Sequence, residues 1–171
     1  MGKILEVRHE EPIGISPSEQ FDDSLNITIF VRIVRMHNPY IFIKRFYMKK
    51  VIATENAPKA VGPYSQAIEV NGTLYISGQI PVNPADGQVQ TEITAAAHQS
   101  LKNIGAILAE AGMTYDNVVK TTVLLADIAD FKAVNEVYAE YFTGDKPARA
   151  CYQAAALPLG VKVEIEAIAV K

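Results

Sequence analysis

The pattern of apolar and polar positions between residues 48 and 171 changes between the spacing of strands and that of helices. Residues 66–77 alternate polar and apolar side chains on both sides of Asn71-Gly72, a dipeptide typical of tight hairpin turns. A β-hairpin is therefore predicted there. Four more strands are predicted from β-branched or alternating runs, at 51–54, 118–125, 148–155 and 161–170.

Two segments have helical spacing. Apolar residues recur every third or fourth position over 92–111, and Gly112 is typical of the residue that ends a helix. A second helix is predicted after Asp127 or Asp130, either of which could cap it. Its apolar face is formed by Phe131, Val134, Tyr138 and Tyr141. The order β, ββ, α, β, α, β, β predicts an α+β fold, a mixed sheet with two helices packed on one face.

Residues 1–47 differ from the rest. Their acidic residues precede most of their basic ones, and two apolar runs, 27–34 and 41–47, are too short to span a bilayer. The early acidic residues argue against a secretory signal or a transit peptide, so a cytoplasmic location is expected. We interpret 1–47 as an extension before a domain at 48–171. It is either a non-native start preceding Met48 or a segment that binds a membrane surface or a partner.

Composition and charge narrow the function. The 171 residues are 49% apolar, which indicates a globular protein, and the net charge of −3 gives no basic footprint for nucleic acid or an anionic membrane. One cysteine excludes an internal disulfide and a cysteine-rich zinc site, and the three widely scattered histidines argue against a histidine-rich metal site within one chain. A domain of this size leaves roughly a third of its unfolded surface exposed, so the second face of the sheet favours a homo-oligomer.

The strand beginning near residue 148 carries a possible anion site. Arg149 opens an otherwise uncharged run, either as one half of a surface ion pair or as a clamp for a carboxylate. Cys151 lies two residues later and shares its face. A lone cysteine is either a small buried hydrophobe or part of the wall of such a site.

Other candidate groups lie at the ends of strands. Glu164 and Glu166 share the polar face of the last strand. They are either solvated or, if an oligomer covers that face, able to act in acid–base chemistry. Tyr64 and Ser77 flank the hairpin and offer hydroxyls, although Tyr64 could equally be a packed turn residue. Gly78 could present its backbone N–H at close approach.

Residues 48–171 resemble the RidA/YjgF family of reactive-intermediate deaminases, because a series of short motifs occurs in the family's order. These motifs are Ala57-Pro58 with Gly62-Pro63-Tyr64-Ser65-Gln66, Ser77-Gly78-Gln79-Ile80-Pro81, Val119-Lys120-Thr121-Thr122-Val123, Phe131 with Val134-Asn135 and Tyr138, Pro147-Ala148-Arg149 with Cys151, Leu157-Pro158, and Val163-Glu164-Ile165-Glu166-Ala167-Ile168-Ala169. The resemblance does not extend to residues 1–47.

The resemblance implies a fold similar to that of trimeric chorismate mutase, with homotrimers that bind ligand in each cleft between subunits. It implies hydrolysis of 2-iminobutanoate and 2-iminopropanoate to the 2-oxo acid and ammonia. These imines derive from enamines released by pyridoxal-phosphate dehydratases. No metal or cofactor is implied, since an imine is already electrophilic, and the expected partners are a small 2-imino acid and further copies of the chain.

The resemblance also implies roles for individual residues. Arg149 would bind the substrate carboxylate, and Glu164 would hold the attacking water and shuttle protons. Backbone groups of Gly78 and Cys151 would line the pocket. Three polar side chains would complete the cleft: Tyr64, Ser77 and Asn135. Ala150 stands where the family often has serine, which matters little if that side chain faces away from the cleft.

Two other functions remain open on the same fold. A non-enzymatic trimer that binds a small regulatory ligand would be expected to lack the Arg149–Glu164 combination. An endoribonuclease or translation inhibitor is disfavoured by the acidic balance and by the lack of a basic, aromatic-rich patch. A chorismate mutase activity is suggested only by analogy of fold, and a shared fold does not confer a shared function.

Overall fold

A computed structural model describes residues 49–171. They form one six-stranded mixed sheet with two α-helices, and the helix α1 spans Ile93–Glu110 and the helix α2 Phe131–Tyr141. The strands are β1 (Lys50–Ile52), β2 (Ala67–Val70), β3 (Thr73–Gln79), β4 (Val118–Leu125), β5 (Ala148–Gln153) and β6 (Val163–Val170). The predicted extension 1–47, with its apolar runs and the proposed start at Met48, lies outside the described residues.

The strands are ordered β1-β2-β3-β6-β4-β5 across the sheet. All neighbouring pairs are antiparallel except β4 and β5, which run parallel because α2 carries the chain back between them. β6 lies between β3 and β4, so the last strand of the chain joins the two halves of the sheet. The predicted α+β class and element order are confirmed.

The hairpin forms where the sequence predicts it. Asn71 and Gly72 both have positive φ angles, 53° and 77°, as a two-residue turn of this twist requires.

The last two strands are each shorter than predicted. The strand β5 ends at Gln153, two residues before the predicted end at 155, and β6 begins at Val163, two residues after the predicted start at 161. A 3₁₀ turn at Pro158–Gly160 precedes β6, and Leu159 and Gly160 lie there in the left-handed region.

An acidic side chain caps the start of α1 and of the 3₁₀ turn that leads into α2. The Glu92 carboxylate accepts hydrogen bonds from the Thr94 and Ala95 N–H groups at the start of α1, and these bonds lower the pKa of Glu92. Asp127 caps the 3₁₀ turn Ile128–Asp130, whereas Asp130 precedes α2 without a side-chain cap. Neither of the two predicted residues therefore caps α2 itself, and Asp127 instead caps the 3₁₀ turn that precedes it.

The hydrophobic core lies between the two helices and one face of the sheet. In β6 the residues Val163, Ile165, Ala167 and Ala169 are buried on that face, as the alternation predicts. The opposite face, here called the open face, carries Ile68, Tyr75, Thr122, Glu166 and Ile168 around a depression of about 370 Å³. Nowhere in residues 49–171 is a helix both long and apolar enough to cross a membrane.

Candidate functional site

Arg149 lies on the edge strand β5 and points to the side of the sheet that carries the helices. Its guanidinium carbon is 4.7 Å from the centre of the Tyr138 ring and 5.7 Å from that of Phe131. Guanidinium groups are attracted to aromatic faces at such distances by the ring quadrupole. The two rings of α2 therefore form an aromatic platform for Arg149, which remains exposed to solvent.

The platform is itself fixed by the core. Tyr138 is buried, and its hydroxyl lies 2.8 Å from the Thr121 Oγ1. Thr121 is paired with Arg149 in the β4–β5 register. The residue that hydrogen-bonds to Tyr138 therefore also lies directly beside Arg149 in the sheet. Burial raises the pKa of the Tyr138 hydroxyl, which keeps it protonated in spite of the nearby Arg149 charge.

Two further predicted residues share this region. Asn135 follows Phe131 by four positions and precedes Tyr138 by three, so it lies on the platform's side of α2. Cys151 occupies the same face of β5 as Arg149 and packs against the core. Burial raises the pKa of its thiol, although the Arg149 charge acts in the opposite direction, so Cys151 is not an activated thiolate. We call Arg149, Asn135 and Cys151 the arginine half-site.

Glu164 belongs to a different region. It lies on β6 and faces the open side of the sheet, and its carboxylate rests directly on the Cα of Gly78: a Cβ built there would overlap the Glu164 Oε1. Only glycine permits this approach. Burial, and secondarily the charge of Glu166, raises the pKa of Glu164 above its usual range. We call Glu164, Gly78 and Ser77 the glutamate half-site.

Ser77 is tied to the segment that enters the hairpin. Its N–H donates to the Gln66 carbonyl at 3.0 Å, and its hydroxyl donates to the Ser65 carbonyl at 2.7 Å. The hydroxyl proton is thus engaged within the protein, which leaves the Ser77 oxygen as an acceptor. Ser77 is therefore held next to Gly78, and its hydroxyl donates to the Ser65 carbonyl rather than into the glutamate half-site.

Tyr64 lies in the turn before the hairpin and is 48% exposed, so it is not a packed turn residue. Its hydroxyl accepts a hydrogen bond from the Val61 N–H at 3.4 Å. The side-chain amide of buried Gln66 donates to three carbonyls of the preceding loop and accepts from the Thr54 N–H. Tyr64 is thus an exposed aromatic side chain on a loop that Gln66 ties to the sheet.

The two half-sites lie on opposite faces of the sheet. Arg149 is level with Thr121 in β4, whereas Glu164 is level with Leu124, three positions along the same strand. Successive side chains of a strand point to opposite faces, so positions 121 and 124 face different ways. One protomer therefore does not bring Arg149 and Glu164 together on a single small ligand.

Sequence reasoning missed the platform and the buried amides. Phe131 and Tyr138 were expected only as an apolar helix face, yet Phe131 is 40% exposed and contacts a cation. The family motifs contain Gln66 and Gln79 but indicate no role for them, although both are buried and hydrogen-bonded. Alternation along β3 carried no signal for Gln79, because Gln79 has the parity of Tyr75 and reaches the buried side only through the register shift between Ile76 and Gln79. Across residues 49–171, no group of three or more His, Cys, Asp or Glu side chains is arranged as a metal site.

Comparison with known proteins matches this chain to a family model and to named relatives. The family model described as endoribonuclease L-PSP matches residues 54–171. A mouse protein named 2-iminobutanoate/2-iminopropanoate deaminase is 58% identical over 125 residues, which cover 72% of this chain and 93% of that protein. An Escherichia coli protein of the same name is 50% identical over 127 residues, covering 72% of this chain and 99% of that one.

Solved structures show the same similarity. The crystal structure of E. coli TdcF with bound serine superposes with a TM-score of 0.70 at 42% sequence identity. The alignment covers 71% of this chain and 98% of TdcF. That relative thus binds a small amino acid on a fold that this chain shares.

Proposed function

The chain belongs to the YjgF/RidA family, described as endoribonuclease L-PSP, and from this premise we propose that it hydrolyses 2-iminobutanoate and 2-iminopropanoate to 2-oxo acids and ammonia. The observation that carries the proposal is the pair of half-sites. One holds a guanidinium on an aromatic platform, and the other holds a half-buried carboxylate against Gly78. Together they match a substrate with a carboxylate beside an electrophilic C=N carbon.

Arg149 provides the anion anchor. Its planar fork can donate two parallel hydrogen bonds to the substrate carboxylate, and the platform of Tyr138 and Phe131 restricts its orientation. The C=N carbon is bonded directly to that carboxylate in a 2-imino acid. Fixing the carboxylate therefore fixes the position of the reacting carbon. Part of the entropic cost of reaching the transition state is then met when the substrate binds, so the barrier of the chemical step is lower.

Glu164 provides the proton transfers. The substrate reacts as its iminium form, with the C=N nitrogen protonated. As a carboxylate Glu164 accepts a proton from water while the water oxygen bonds to the iminium carbon and the C=N π electrons move to nitrogen, which gives a neutral carbinolamine. Glu164 then returns this proton to the nitrogen, and the C–N bond breaks to release ammonia. The remaining hydroxyl proton passes to the Glu164 carboxylate as the C=O bond of the 2-oxo acid forms, and Glu164 loses it to solvent. A pKa raised toward neutrality suits a group that must both accept and return a proton.

The opposite orientation of the half-sites supports a site shared by two copies. We propose a homotrimer in which the arginine half-site of one protomer meets the glutamate half-site of its neighbour, with Tyr64, Ser77 and Asn135 completing the cleft. The open face, where Tyr75 is 49% exposed, would be covered in such an assembly. The proposal includes a 2-imino acid as the small-molecule partner and a cytoplasmic location.

A coupled assay tests the activity. With a pyridoxal-phosphate threonine dehydratase generating the imine, we expect this protein to accelerate the release of 2-oxobutanoate and ammonia above the spontaneous rate. No acceleration at micromolar protein would contradict the proposal and favour a ligand-binding trimer. Cleavage of RNA that survives Arg149→Ala would favour the endoribonuclease activity that the family description names.

Complementation between impaired variants tests the shared site. Arg149→Ala and Glu164→Gln homotrimers are each expected to have about one-hundredth of the wild-type kcat/KM or less. In mixed trimers, about one site in three combines an intact Arg149 with an intact Glu164 from different copies, so activity should return on co-expression with two affinity tags. If mixed trimers isolated through both tags are no more active than the parents, each site is built within one protomer and the shared arrangement is wrong.

A further inference from the structure

The strand β3 carries an irregularity beside the glutamate half-site. Its register with β6 shifts between Ile76, which faces Ala167, and Gln79, which faces Ile165. Ser77 and Gly78 together stand opposite Glu166 alone. Such a bulge bends the strand and re-aims the groups around it, and bulges occur preferentially next to active sites.

The side chain of Gln79 binds the backbone of this bulge from the side of the sheet that carries the helices. The side chain is 4% exposed, and its amide nitrogen donates to the Ser77 carbonyl at 3.0 Å and approaches the Gly78 carbonyl at 3.5 Å. The N–H and hydroxyl of Ser77 are bound by the chain entering the hairpin. All three polar groups of Ser77 are therefore engaged, and Gln79 supplies the partner of the carbonyl.

A second buried amide, that of Asn103, binds a different part of the backbone. Asn103 of α1 donates to the Ile80 and Val82 carbonyls at 3.1 and 3.0 Å and accepts from the Gln99 side chain. It holds the segment that leaves β3, after the bulge. Gln79 and Asn103 are thus two buried amides of the same kind, of which only Gln79 holds the bulge.

The shape of the bulge determines where the Glu164 carboxylate can lie. Gly78 is the surface on which that carboxylate rests, and the contact is so close that no side chain fits between them. A change in the Ser77–Gly78 backbone therefore moves Glu164 or exposes it to water. The interior transmits such shifts because it is close-packed.

We propose that Gln79 is a positioning residue for Glu164: by holding the Ser77 carbonyl it fixes the bulge that places Gly78 beneath the carboxylate. The inference rests on the proposed function for the role of Glu164 in turnover, but not for its position. Gln79 touches neither the substrate nor the reacting atoms. It acts only through the backbone of Ser77 and Gly78.

Gln79→Met tests the role of the donor. Methionine has a similar length and no N–H, so the Ser77 carbonyl loses its partner. We expect kcat to fall at least about 10-fold with KM within about 2-fold of wild type, because the arginine half-site is untouched. We also expect the acid limb of the pH–rate profile to move to lower pH, because Glu164 becomes more solvated.

The other titratable groups of the open face stay constant in this comparison. Those lying on Glu164's own strand and on the strands around it are Glu166, Lys120, Tyr75 and Tyr152.

A second variant, Gly78→Ala, displaces the Glu164 carboxylate directly. It should reproduce both the loss of kcat and the shift of the acid limb of the pH–rate profile that are expected for Gln79→Met.

Gln79→Glu gives a conditional rescue. A carboxyl group at this buried position can donate to the Ser77 carbonyl only when protonated. Its deeper burial should keep it protonated at a pH where Glu164 is still ionised. The activity of this variant relative to wild type should therefore rise as the pH falls. A residue that merely fills space would give a constant ratio.

Asn103→Leu is the matched control, since it removes a buried amide that also holds two carbonyls. We expect it to lower the thermal midpoint while kcat, KM and the pH profile stay within about 2-fold of wild type. Gln79→Met with unchanged kcat and an unchanged acid limb would overturn the proposal. So would Gln79→Glu with an activity ratio independent of pH.

A titration of Glu164 separates this inference from the proposed function. The carboxyl carbon resonance of Glu164, followed by NMR in ligand-free protein, reports its pKa without any substrate. A lower pKa in Gln79→Met supports the positioning role even if wild type proves unable to hydrolyse imines. An unchanged pKa contradicts it even if wild type is an active deaminase.

Discussion

Replacing Arg149 by alanine is expected to lower kcat/KM for 2-iminobutanoate by about 100-fold or more, which corresponds to about 2.7 kcal/mol of lost transition-state stabilisation. The physical reason is that Arg149 is the sole guanidinium of residues 49–171 and the donor that the Tyr138–Phe131 platform orients. Most of the loss should appear in KM, because a carboxylate clamp acts on substrate and transition state alike. Steady-state kinetics in the coupled assay measures both parameters.

Two variants control for charge and for folding. Arg149→Lys keeps the charge but loses the planar fork and the stacking, so it should recover only a small part of the activity. Lys132→Ala removes an exposed cation next to Phe131 and should leave kcat/KM within about 2-fold of wild type. Because Arg149 is solvent-exposed, its removal should not lower the thermal midpoint. Full activity in Arg149→Ala would exclude it as the anion anchor.

The fold was predictable because its signals are local. Asn71-Gly72 determines a hairpin through the positive φ angles that these residues tolerate, and the alternation in β6 determines which face is buried. Periodicity does not show where β6 inserts, between β3 and β4. That position depends on pairings between residues far apart in the chain, such as Val123 with Ile165.

The site was predictable only in part, for a physical reason. Resemblance to the family named Arg149 and Glu164, and alternation placed Glu164 on the polar face of its strand. Neither could show that the two side chains point to opposite sides of one sheet, because that depends on the registers of β5 and β6 against β4. The role of Gln79 was hidden for the same reason, since its partner is a backbone carbonyl that only the bulge leaves available.

Replacing Glu164 by glutamine is expected to lower kcat by about 10²- to 10⁴-fold, since it removes the group that accepts and returns the proton. The amide keeps the shape of the carboxyl, so the product 2-oxobutanoate should still bind through Arg149, which calorimetry can measure. The pKa of Glu164 is raised in the folded protein, so its ionisation costs stability as the pH rises through that pKa. At pH 7 the variant should therefore be at least as thermally stable as wild type.

Glu166→Gln is the matched control, because Glu166 is the exposed carboxylate two residues along the same face of β6. It should retain kcat at neutral pH. It also removes the negative charge that helps to raise the pKa of Glu164, so the acid limb of the pH–rate profile should move to lower pH. If instead Glu166→Gln abolished turnover and Glu164→Gln did not, the proton transfers would belong to Glu166. The contact with Gly78 would then serve packing alone.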